Sequence, residues 1–178
     1  MNIVDAKQLA EEGQAAYKKG EYLSAAQLFK AAADGYLSVG NELEAAEMAN
    51  NCSVAYLKGR DAESALQIAM NTDQVFAARG DRLRQALAIG NQGAAWEGLR
   101  QLDKAVAAYT QCAELLEQVG ESELRALVMQ SLSAIQLRKG QYMEAYATMG
   151  QGVMGIKNPN LTQKILKSLM KLPFKFIR

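Results

Sequence analysis

A step of 40 residues governs this chain. Ala25, Ala65, Ala105 and Ala145 fall at equal intervals, and Gly40, Gly80 and Gly120 keep the same interval. So do the small residues Gly13, Ser53, Gly93 and Ser133. One apolar column runs through Phe29, Ala69, Tyr109 and Met149, and a mostly aromatic one through Ala16, Tyr56, Trp96 and Gln136. Columns in phase over four units mark an internal repeat, which outranks every local signal in deciding the fold. The stretch from Gly93 to Ala113 shows what is repeated. Two helical patterns flank a polar turn at Arg100 and Gln101, and small residues (Gly93, Ala105, Cys112) meet large ones (Trp96, Leu102, Tyr109). A bulky side chain facing a notch lets two antiparallel helices approach closely. Alanine is abundant, and both prolines, Pro159 and Pro173, lie near the C-terminus, so nothing interrupts a helix before residue 158.

These columns resemble the tetratricopeptide repeat (TPR): a small residue, an aromatic three later, a turn into a second helix, then another aromatic and another small residue. Gly13, Gly20, Tyr22, Ala25, Phe29 and Ala32 give the fullest match. The step exceeds the family's usual unit of about 34 residues. Gly-Asn, Gly-Asp and Gly-Glu at 40–41, 80–81 and 120–121 stand where a proline is usual, which looks like the long-repeat scaffolds of the Leu-Gly-Asn (Pins) type. The resemblance covers about residues 6–157. It implies an all-α fold, a right-handed α-solenoid of four TPR helix hairpins plus a C-terminal capping helix. A HEAT or armadillo array has a similar period but does not need fixed small and aromatic columns.

In chain order, the units fall at about 6–40, 41–80, 81–120 and 121–157. Asp5 is expected to cap the first helix with Gln8 as its capping-box partner. Unit two takes helices near 42–58 and 61–79, with Asp61 capping the second. Asp81 leads the first helix of unit three, and unit four takes about 121–139 and 141–155. Asn160 is expected to cap a helix over 158–172 whose stripe is Leu161, Ile165, Leu169 and Leu172, closing the open end of unit four. Residues 173–178 form a basic, apolar tail.

Charge is uneven. Residues 1–156 carry 14 Lys and Arg against 19 Asp and Glu, whereas 157–178 carry six basic residues and no acid. The chain has no histidine, which excludes Ser-His, Cys-His and His-metal chemistry. No glycine loop follows a strand, so no phosphate cradle is expected. Cys52 and Cys112 fall on inward columns and read as buried free thiols, in keeping with a cytoplasmic location. The N-terminus lacks the basic flank and apolar core of a signal peptide. No enzyme activity, cofactor or metal is expected.

In TPR arrays the first helix of each unit lines the concave face. By that resemblance the groove is lined by Lys7, Ala10, Glu11, Gln14, Tyr17 and Lys18 in unit one. Unit two adds Glu47, Asn50, Asn51, Val54, Leu57 and Lys58, and unit three Leu87, Gly90, Asn91, Ala94 and Glu97. Unit four adds Leu127, Gln130, Ser131, Ala134, Leu137 and Arg138. Asn51 and Asn91 share one repeat position, where long-repeat relatives use an asparagine on a ligand's main chain. A side-chain amide both donates and accepts, as a neighbouring strand would. Val54, Leu57, Leu87, Ala94, Leu127, Ala134 and Leu137 are expected as exposed apolar surface. The basic clamp that chaperone-tail receptors need is absent, because its places hold Ala10, Gln14, Leu87 and Asn91. The expected function is a non-enzymatic adaptor that binds a peptide segment of a partner protein in the groove. The second reading attaches the basic amphipathic C-terminus to a membrane surface or an acidic partner. A third has that tail enter the groove of a second copy, giving a homo-oligomer. An acidic body argues against nucleic acid.

Overall fold

The computed structural model describes residues 3–170, without the side chains of residues 165, 166, 169 and 170. Helices fill these residues, and no strand occurs among them. The fold class is the expected one, an all-α helical-repeat solenoid. The helices pair as hairpins: α1 (Ile3–Lys19) with α2 (Tyr22–Ser38), and α3 (Glu42–Lys58) with α4 (Ala62–Ala69) and α5 (Thr72–Ala78). Next come α6 (Arg82–Gly98), α7 (Leu102–Val119), the α8–α9 pair (Ser122–Arg138, Tyr142–Gly155) and α10 (Leu161–Met170). Contacts divide the chain into two bodies, Met1–Ala108 and Tyr109–Arg178, with the division inside α7. Repeat units contact chiefly their neighbours, so such a chain needs no single global core.

The alanine column is the core of each hairpin. Ala25, Ala65 and Ala105 are fully buried and Ala145 nearly so. The small-residue column has two physical forms. At Gly13 an added Cβ would lie 3.0 Å from the Phe29 ring, so the aromatic occupies the notch. Where the residue is serine, its hydroxyl reaches the partner helix: Ser53 Oγ donates to Ala65 O at 2.9 Å, and Ser133 Oγ to Ala145 O at 3.0 Å. Both buried hydroxyls are thereby satisfied.

Each turn uses one hydrogen bond whose position repeats. The amides of Glu21, Asp61, Gln101 and Gln141 donate to the carbonyls of Ala16, Tyr56, Trp96 and Gln136, the aromatic column of the sequence. This is the closing bond of a Schellman turn, which needs a left-handed residue just before the donor. Gly20 and Gly140 supply it at φ 83° and 75°, but Arg60 and Arg100 occupy the same place at φ 64° and 58°. A side chain in that conformation costs roughly 1–2 kcal/mol, part of which glycine gives back as unfolded-state entropy. Arg60→Gly and Arg100→Gly should each therefore stabilise the protein by a few tenths to about 1 kcal/mol. A urea midpoint that falls in both variants would contradict this.

Three expectations need correction. The return helix of unit two is broken, because Met70 leaves the helix and Asn71 sits at φ 67° between α4 and α5. Buried polar bonds hold the break. Thr72 Oγ1 donates to Asn50 Oδ1 and to Ala69 O, while Gln92 Nε2 donates to Ala69 O and Asp73 Oδ1. Asp5 does not cap α1, which already includes Ile3, and Gln8 bonds Glu12 instead. Leu161, placed on the covering stripe of the last helix, is largely exposed. The stripe's other members have side chains outside the described residues, and so does the tail 173–178.

Other caps form as expected. Asp61 accepts from Ser64 N and Asp81 from Arg84 N, and Asn160 forms a reciprocal box with Gln163. The bonds from the Ser64 and Arg84 backbone amides hold the Asp61 and Asp81 carboxyls below the usual carboxylate range. A carboxyl whose folded pKa is depressed contributes stability above its unfolded value, near pH 4, and loses it as pH falls further. The Asp61→Asn, Asp81→Asn double variant should therefore be less stable than the parent at pH 6 and closer to it at pH 3. An equal gap at both pH values would contradict the assignment.

Candidate functional site

A cleft lies in each body, and in both the repeat register predicts part of the lining. The N-terminal cleft, of about 450 Å³, lies between α1 and α3 over α2. Ala10, Phe29, Met48 and Val54 give it apolar surface; Lys7, Glu11, Gln14, Tyr17, Glu47 and Asn51 complete it. All of these but Phe29 and Met48 lie at or beside the expected inner positions of units one and two. The helical spacing of Ala10, Gln14 and Tyr17 puts them on one face of α1, and Asn51 and Val54 share a face of α3.

The charges of this cleft are already engaged. Lys7 pairs with Glu11, one turn along, at 4.0 Å. Glu47 accepts from Arg84 Nη1 at 3.0 Å, and Arg84 Nε in turn donates to Asp81 at 2.6 Å. The Asp81 hydrogen bond, followed by the Glu47 one, pushes the Arg84 guanidinium above its usual range. Tyr17 stacks edge-on against Tyr22 with ring centres 5.4 Å apart. What the cleft offers a ligand is thus an apolar floor with the side-chain amides of Gln14 and Asn51 beside it. Beneath, burial pushes the Cys52 thiol up to about 12, and its Sγ donates to Ala26 O at 3.1 Å. That thiol stays protonated and is a packing group, not a nucleophile.

The C-terminal cleft, of about 530 Å³, lies among α8, α9 and the start of α10. Glu123, Ala126, Leu127 and Gln130 come from α8, and Met149, Val153 and Ile156 from α9 and its end. Asn158, Asn160 and Gln163 form the remaining side. Leu127, Gln130 and Met149 stand 120 residues, three repeat steps, beyond Lys7, Ala10 and Phe29. The two clefts are therefore the same feature of the repeat with different chemistry. Lys7 becomes a leucine with 61% of its surface exposed, and the phenyl floor becomes a thioether.

The other expected groove residues separate. Asn50 is corrected: it is buried, and its Oδ1 accepts from Thr72, so it holds the broken helix and does not face the groove. Asn91 and Ala94 are half-buried on α6, with Leu87 exposed there, but none of them lines the N-terminal cleft. Leu57 is half-buried and Lys58 exposed at the end of α3, outside that cleft. Ser131 and Arg138 do not line the C-terminal cleft, and Arg138 Nε donates to Ala134 O of its own helix. Sequence reasoning missed Met149, Val153 and Ile156, because it assigned the inner wall to first helices alone. Among the described residues, no helix is long and apolar enough to cross a membrane.

The family model described as soluble NSF attachment protein, SNAP, matches residues 2–170. None of the curated proteins compared matches the chain. The match upholds a TPR-like helical repeat; the closer likeness to Leu-Gly-Asn scaffolds finds no support in it.

Proposed function

From the premise that the chain belongs to the soluble NSF attachment protein family, a family of protein-interaction adaptors, we propose that it binds a segment of a partner protein in its N-terminal cleft. The supporting observation is the chemistry of that cleft. Its ionic groups are paired within the protein, while an apolar floor and two amide side chains face the open space. Such a surface suits an apolar side chain carried on an uncharged main chain, whose N–H and C=O groups Gln14 and Asn51 can meet. Asn91, on the same repeat position one unit on, extends the amide row in this reading, and Leu87 takes a further apolar side chain.

The family's name carries attachment to NSF, and NSF is the first partner to test. Asn51→Ala with Asn91→Ala should weaken capture of the partner about 10- to 100-fold, the loss of one or two hydrogen bonds, at unchanged thermal stability. Affinity capture with parent and double variant, quantified by mass spectrometry, reads this. Equal recovery of every captured protein would reject the role of the amides.

A further inference from the structure

An ammonium group ties the last helix to the end of the one before it. α9 ends at Gly155, and its final carbonyls have no partner within the helix. Two cations from other elements take this negative end. Arg125 Nη1 of α8 lies 3.4 Å from Gln151 O, and Lys167 Nζ of α10 donates to Met154 O at 3.2 Å and Ile156 O at 2.7 Å. A lysine near the carboxyl end of a helix satisfies its carbonyls and its dipole together. At its own start α10 is closed by the Asn160–Gln163 box, after the Asn158-Pro159 connection. A helix of ten residues is too short to persist in water without docking.

The same short segment helps to wall the C-terminal cleft, for Asn158, Asn160 and Gln163 line it together with Val153 and Ile156. We propose that Lys167 is a positioning residue: it latches α10 onto the end of α9 and thereby sets the width of the C-terminal cleft. This carries the reading of the N-terminal cleft as a partner site over to its C-terminal counterpart and rests on that reading for its purpose, but the latch itself is tested without any partner. The charge and the donor are both needed, so arginine can replace lysine and methionine, of similar length, cannot.

The experiment is hydrogen exchange on the full chain carrying Lys167→Met or Lys167→Arg, with the Met149 methyl resonance followed in parallel. Lys167→Met should speed exchange of amides 161–170 by roughly 10- to 100-fold, as loss of a charge-assisted bond implies, with α1–α6 unaltered. The Met149 resonance should move with it, and Lys167→Arg should keep the parent pattern. Unchanged exchange in Lys167→Met, or a Met149 resonance that stays in place while α10 opens, would overturn the proposal. Failure of the partner-binding reading would leave all of these results as they are.

Discussion

Phe76→Ala is expected to lower the unfolding free energy by about 3–5 kcal/mol, the cost of removing a phenyl ring from a site that cannot collapse. Phe76 is fully buried and lies in the second half of the broken return helix. It packs with Ala46 of α3 and Ala88 of α6, and Leu43 and Val75 close the cluster. Two of these neighbours are alanines, too small to refill the space. The Arg84 guanidinium stands 5.3 Å from the ring centre, and Arg84 also ties Asp81 to Glu47. The truncation therefore opens a cavity and loosens the charged hub beside the N-terminal cleft. Urea unfolding measures the effect, and a loss under about 1 kcal/mol would show that α5 is dispensable to the core.

Val54→Asp is expected to weaken partner binding by about 2–4 kcal/mol, roughly 30- to 1,000-fold, with little change in the folding of the chain alone. Val54 is half-buried on the cleft face of α3, so in the free protein a carboxylate there stays solvated. Once an apolar side chain covers the floor, the same carboxylate loses water without gaining a partner, since Lys7 and Arg84 are already paired. The penalty thus appears only in the complex. Titration of the captured partner against parent and variant reads it, beside a thermal melt of each. Equal affinity would place the partner elsewhere.

The repeat was legible because packing writes volume into sequence. A ring needs a notch, so Phe29 above Gly13 leaves a large and a small letter at a fixed distance, and Ala25 to Ala145 mark the closest helix approach. The break at Met70 was not legible. Neither glycine nor proline stands there, and its cause is tertiary: Asn50, Thr72 and Gln92 bond across three helices. Asn50 was misplaced for a related reason. It adjoins Asn51, but one residue along a helix is a rotation of roughly 100°, which turns one amide inward and leaves the other at the cleft. Arg60 and Arg100 likewise carry no left-handed signature in sequence; only the shared step with Gly20 and Gly140 hints at it. The pairing of Lys7 with Glu11 and of Glu47 with Arg84 depends on side-chain geometry that no spacing specifies.

The most direct test of a partner-receiving N-terminal cleft is photo-crosslinking from within it. A benzophenone side chain at Gln14 and, as control, one at the exposed Lys30 of α2 would be irradiated with the partner bound, and the products sequenced by mass spectrometry. The account predicts crosslinks from position 14 to one short apolar segment of the partner, lost on adding Val54→Asp, and none from position 30. Crosslinks from position 30 alone, or the same yield from both positions, would contradict it.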